Sequence, residues 1–126
     1  MSFVVEVERR LTVRQGLSSP IRSRRGLTLI GPGEGVDIVV RVAVTFADDQ
    51  LNEDGRFLDT DALTEELDTQ CAILTARPWT ETFPFRPTFE LVARELFGRL
   101  AERVPQLTHV ELADESFGSR TRYTAG

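Results

Sequence analysis

Glu115, in the run Val110-Glu111-Leu112-Ala113-Asp114-Glu115-Ser116, is one of several side chains whose chemistry suits holding a ligand, and a single Glu is weak evidence by itself. An ionised carboxylate accepts two parallel N–H bonds from a planar donor edge, as it does from arginine. If partly buried, it also selects against ligands that leave it unpaired. Ser116 adds a hydroxyl beside it. The plain alternative is a solvated turn next to Asp114. Glu90, in Pro87-Thr88-Phe89-Glu90, can line a pocket, but an acid in a first helical turn more simply complements the helix dipole. Arg22, Arg24 and Arg25 cluster where three guanidinium forks can hold a phosphate or carboxylate. A solvated loop explains them more simply. His109, the single histidine, has the side chain that titrates nearest neutrality and can do acid–base work; in a strand, packing or exposure is the simpler role. Cys71, the single cysteine, falls on an apolar stripe and reads as buried and inert. Trp79, Phe83 and Phe85 suit stacking on a flat heterocycle or plugging a subunit interface equally.

Composition narrows the classes. The chain of 126 residues reads as one domain, 1–126, with 40% hydrophobic and 28% charged residues, as expected of a globular protein. A net charge of −5 argues against a nucleic-acid partner, which needs a basic face. No apolar run approaches a membrane span and no signal segment opens the chain, so the expectation is a cytoplasmic protein away from membranes. One cysteine excludes an internal disulfide framework and a thiolate metal cluster. All fifteen basic residues are arginine, which excludes lysine Schiff-base chemistry.

The elements that must position these groups follow from periodicity. Residues 3–14 alternate and predict a strand; 36–47, dense in valine, predict a second. Between them 15–35 reads as a long loop, with room for a short strand at Leu27–Ile30. Asn52-Glu53-Asp54-Gly55 marks a turn. A helix starts near Asp59 or Thr60, with Asp59, Thr60 or Asp61 as its cap and Leu63, Leu67, Cys71 and Leu74 on one face. A second opens at Pro87-Thr88, carries Leu91, Val92, Leu96, Leu100 and Val104, and stops at Pro105. Residues 107–114 predict a strand with Leu107, His109 and Glu111 on one face and Thr108, Val110 and Leu112 on the other. Gly118 turns into a last strand, 119–124. The order is ββααββ, an α+β fold of four antiparallel strands with both helices on one face.

Pro87-Thr88-Phe89-Glu90, the pair Glu115-Ser116 and Tyr123 eight residues after Glu115 make residues 34–126 resemble the 6-pyruvoyl-tetrahydropterin and 6-carboxytetrahydropterin synthases. Asp54-Gly55-Arg56-Phe57-Leu58-Asp59 resembles their acidic-Gly turn and helix start. The resemblance implies the tunnelling fold, subunits that close their sheets into a homo-oligomeric barrel, such as a hexamer, and a pterin anchored by Glu115. It also implies zinc on three histidines, and here the sequence departs. Glu34 and Val36 stand where the family has His-Gly-His, Thr75 and Ala76 stand at its Asp-His relay, and no cysteine occurs in 15–33. Catalytic zinc needs three protein ligands around an open position, so zinc is not expected and no metal ligands are assigned.

Two readings follow. In the first, the protein is a zinc-independent relative that binds a pterin- or purine-like heterocycle through Glu115, with lyase or cyclase chemistry run by Thr75, Glu34, His109 or the arginine cluster in a specialised pathway. In the second, it is a non-catalytic scaffold or regulatory partner. A metal site from Glu34, Asp37 and His109 has no supporting spacing.

Overall fold

β-Branched residues dominate the second of the two longest strands, and the two pair over their whole length. In the computed structural model, which describes residues 1–17, 35–53, 55 and 60–126, β1 (Ser2–Val13) runs antiparallel to β2 (Val36–Ala47) from Ser2–Ala47 to Val13–Val36. β2 pairs with β3 (Leu107–Asp114), and β3 with β4 (Ser119–Thr124), so the sheet order is β1-β2-β3-β4, all antiparallel. A short 3-10 turn, Asp48–Gln50, follows β2. The helices are α1 (Thr60–Ala76), α2 (Trp79–Thr82) and α3 (Phe89–Ala101). The expected ββααββ order therefore holds, with one added helical turn between the two long helices. The proposed strand at Leu27–Ile30 and the cap Asp59 lie outside the described residues.

The helices cover one face of the sheet, because each carries its apolar residues at helical spacing. Leu63, Leu67, Cys71 and Leu74 of α1, and Val92, Ala93, Leu96 and Leu100 of α3, are buried against Ile38, Val40, Val42, Val44, Val110 and Leu112. Thr88 caps α3 by accepting from the Leu91 N–H at 3.2 Å. The helix ends at Ala101, before Pro105, yet Val104 still reaches the core because its N–H folds back onto the Leu100 carbonyl at 2.9 Å.

Two expectations are corrected. Trp79 and Phe83 neither face a ligand nor plug an interface: they are 0% and 4% exposed, inside the core, with Phe85 stacked on Phe83. The Trp79 indole donates to the Leu74 carbonyl at 3.0 Å, and its ring meets Phe83 and Phe89 edge-on. The Trp79 N–H bonds the Arg14 carbonyl at 2.8 Å, so α2 pins the chain leaving β1. Gly16 permits that approach: its φ is +83°, and a Cβ there would lie 2.8 Å from Thr80. In β3 the simple alternation also fails. The register shifts between Ala43 and Val44, opposite His109 and Leu107, which leaves Thr108 as the extra residue of a β-bulge. Leu107 consequently joins Val110 and Leu112 in the core, while His109 and Glu111 take the opposite face.

Candidate functional site

The face of the sheet away from the helices is polar, and period-2 alternation selects which residues reach it. A single transverse row crosses all four strands: Glu8 pairs with Arg41, Arg41 with Glu111, and Glu111 with Arg122. The side chains follow the backbone register. The Arg41 guanidinium donates to Glu8 Oε2 at 2.8 Å and Glu111 Oε2 at 3.0 Å, and Arg122 donates to Glu111 Oε1 at 3.0 Å. Only 4% of the Glu111 side chain is exposed, so it is the row's buried hub. Burial pushes the Glu111 carboxyl upward, but hydrogen bonds from Arg41 and Arg122 outweigh that and hold it below the ordinary carboxylate range. Arg41 is raised, first by its bond to Glu111. Sequence reading did not single out this ladder. Its signal was an ionisable residue at a polar-face position in each strand, most plainly Arg41 inside the apolar β2.

Glu115 begins the β3–β4 turn, at one end of this face. Asp114, 2% exposed, organises the turn: its Oδ1 accepts from the Ser116 hydroxyl at 2.9 Å and the Phe117 N–H at 3.1 Å. Its carbonyl accepts from the Gly118 N–H at 2.8 Å, and Gly118 has φ +76°, which favours glycine. The Glu115 N–H then donates to the Asp37 carbonyl at 3.3 Å, and its carboxylate is ion-paired with Arg10 of β1. Thr12 donates to Asp37 Oδ1 at 2.7 Å. Arg10, Thr12, Asp37 and Glu115 thus form one polar cluster drawn from distant parts of the chain.

Depressions of about 280 Å³ lie on each side of Glu115. One is lined by Arg10, Thr12, Asp37 and Ile38, the other by Val39, Arg41, Ala113 and Arg120 among others. The Glu115 side chain is 43% exposed, which leaves it accessible to a ligand's donor edge.

The other sequence candidates do not converge here. Ser116 is adjacent, but its hydroxyl is committed to Asp114. Glu90 is exposed in the first turn of α3, in the helix layer. Thr75 is exposed on α1, and its hydroxyl donates back to the Cys71 and Ala72 carbonyls at 3.1 and 3.3 Å. His109 occupies the open face opposite Ala43 and Thr124, six residues before Glu115, or roughly 20 Å along a strand. It is 8% exposed; burial first, then Arg122, lowers its pKa and keeps the ring neutral, against the opposing pull of Glu6 and Glu111. Glu34, Arg22, Arg24 and Arg25 lie outside the described residues. Cys71 is buried, and burial, with a smaller push from Asp68, raises its thiol to about 11.

The residues do not fit the zinc of the synthases. The chain has one histidine, and among the described residues no three His, Cys, Asp or Glu side chains gather to hold a metal ion. Nor is any helix among them long and apolar enough to cross a membrane.

Residues 39–125 match the family described as 6-pyruvoyl tetrahydropterin synthase. The structure of the Caenorhabditis elegans 6-pyruvoyl tetrahydropterin synthase superposes with a TM-score of 0.66 at 18% identity, covering 98% of this chain and 96% of that one. At that identity the likeness concerns the fold. No curated protein matches the sequence.

Proposed function

Because the chain belongs to the 6-pyruvoyl tetrahydropterin synthase family and has its tunnelling fold, we propose that it binds a pterin- or purine-like heterocycle through Glu115, without zinc. The observation that carries this reading is the setting of Glu115: a fixed turn, an anchored backbone N–H, and a half-exposed carboxylate between two depressions. An aminopyrimidine edge offers two parallel N–H donors to such a carboxylate. Arg10, which pairs with the carboxylate, yields one oxygen, or moves to the ligand's far side, when the heterocycle enters. The protein works in the cytoplasm as a homo-oligomer, in which neighbouring subunits deepen depressions that are shallow in one chain.

A second reading is a protein that binds without catalysis and serves as a scaffold or regulatory partner. One observation favours it. Thr75 spends its hydroxyl on its own helix, and His109 sits far along the strand from Glu115, so these two candidates supply no acid–base pair at the anchor.

Calorimetry with neopterin, biopterin, 6-carboxypterin, guanine and urate tests the proposal, on wild type and Glu115→Gln, with zinc assayed in the same preparation. Glutamine keeps the shape but replaces one acceptor by a donor. Hydrogen bonds to a charged group contribute about 1.5–3 kcal/mol, so binding weakens about tenfold or more. Equal binding by both proteins removes Glu115 as the anchor. Binding that appears only with added zinc removes the zinc-free reading, and no binding by any compound removes the heterocycle. Turnover of a bound compound separates the enzyme from the scaffold.

A further inference from the structure

The strand register shows how the Arg10 side chain reaches Glu115. On the open face the sheet ends in a row made of Thr12, Asp37 and Glu115, and the next row is Arg10, Val39, Ala113 and Arg120. Arg10 starts in the second row, on β1, and pairs with Glu115 in the first, at the end of β3. Its side chain therefore crosses β2 between Asp37 and Val39. Asp37 lines one of the two depressions beside Glu115, and Val39 lines the other. The Arg10–Glu115 bridge runs along their common border. Each depression holds about 280 Å³, just short of the roughly 300–1,000 Å³ of a small-molecule site. Joined, they fall within that range.

The ground beside the bridge is apolar. Val39 and Ala113 occupy the middle of the second row, on the polar face and outside the main core cluster, yet they are 1% and 6% exposed. An arginine stem covers apolar surface while its head group seeks charge. Val39 is the register partner of Arg10, so the stem that reaches for Glu115 passes it. At the two ends of the row, Arg10 and Arg120 stand three strand spacings apart, or roughly 14 Å. Arg41, which walls the far side, stays committed to Glu8 and Glu111.

We propose that Arg10 is a gate: when it releases Glu115 the two depressions become one trough, and a flat fused bicyclic ligand lies on Val39 and Ala113 with its donor edge on Glu115. This rests on the reading that Glu115 anchors a heterocycle, and it adds the gate, the floor and the ring size. Arg10 offers Glu115 the same planar fork of N–H donors that an aminopyrimidine edge offers, so it is the ligand's internal competitor. The gate is light. The paired side chains are 66% and 43% exposed, and a pair that exposed favours its closed arrangement about twofold to fivefold. Apparent affinity falls by the fraction of molecules that are open. A single ring takes the anchor and leaves the floor bare.

The test is calorimetry with guanine and neopterin, both fused bicycles, and with isocytosine, the single ring that carries the same donor edge. The proteins are full-length wild type, Arg10→Ala, Ala113→Leu and Glu115→Gln, each checked for folding by circular dichroism. Arg10→Ala is expected to bind all three compounds about threefold to sixfold more tightly than wild type. Raising the ionic strength screens the bridge and tightens binding to wild type, not to Arg10→Ala. Ala113→Leu fills the floor; it weakens both bicycles about tenfold or more and leaves isocytosine unchanged. If that variant fails to fold, Val39→Leu fills the same floor. Arg10→Ala that binds no more tightly than wild type, while Glu115→Gln binds less, overturns the gate and leaves the anchor standing. Bicycles that bind a filled floor as well as an open one overturn the floor. Equal binding by wild type and Glu115→Gln, or no binding by any of the three compounds, removes the anchor and the gate with it.

Discussion

Replacing Glu111 by glutamine tests the buried hub of the ladder. The carboxylate is 4% exposed and accepts two arginine hydrogen bonds at 3.0 Å, one from each neighbouring strand. Removing one partner of a fully buried ion pair costs about 3–5 kcal/mol. Two features lower that figure. Arg41 retains its 2.8 Å bond to Glu8, and the Arg122 side chain is 52% exposed, so water replaces part of what is lost. The glutamine oxygen still accepts from one guanidinium, while its NH2 group faces the other. The expected cost at pH 7 is about 2 kcal/mol, a melting shift of about 8 °C in a chain of this size. The pH dependence carries a second signature. Glu111 is held below its ordinary range, so as pH falls the unfolded chain takes up the proton first, near about 4.3. Its stabilisation is complete above that value and drains away as pH drops through the lower folded pKa. The gap between wild type and Glu111→Gln therefore narrows below about pH 4.3. Urea unfolding followed by Trp79 fluorescence from pH 7 to pH 3, at fixed protein concentration, measures both. A gap under about 0.5 kcal/mol at pH 7 refutes the buried-hub argument, and a gap that holds its size into acid refutes the titration argument.

Trp79→Phe loses the indole bond to Leu74 and part of a fully buried ring, so it destabilises by about 1–3 kcal/mol; urea unfolding followed by circular dichroism checks this, and an unchanged midpoint contradicts the core placement. Cys71, with its thiol near 11 and its side chain buried, reacts with a disulfide reagent at pH 8 only in proportion to unfolding; rapid stoichiometric labelling of the folded protein contradicts its inert role.

Local pattern determined much of this protein. The valine-dense run 36–47, the alternation of 3–14, the leucine spacing of 63–74 and the Pro87-Thr88 helix start each state their own secondary structure, because backbone propensity and burial period are properties of a few neighbouring residues. The order of those elements, with the Pro-Thr-Phe-Glu and Glu-Ser motifs, also pointed to the right family. Tertiary structure decided which groups meet. The bulge at Thr108 moved Leu107 to the core face, and the proline-bounded aromatics became core because Trp79 found both a carbonyl and two rings to pack on. Arg10 reaches Glu115 across 105 residues of sequence, and Glu8, Arg41, Glu111 and Arg122 form one row only when four strands adopt a single register. Register is fixed by the whole buried face at once, so no window of sequence announces a charge ladder that each strand supplies with one residue.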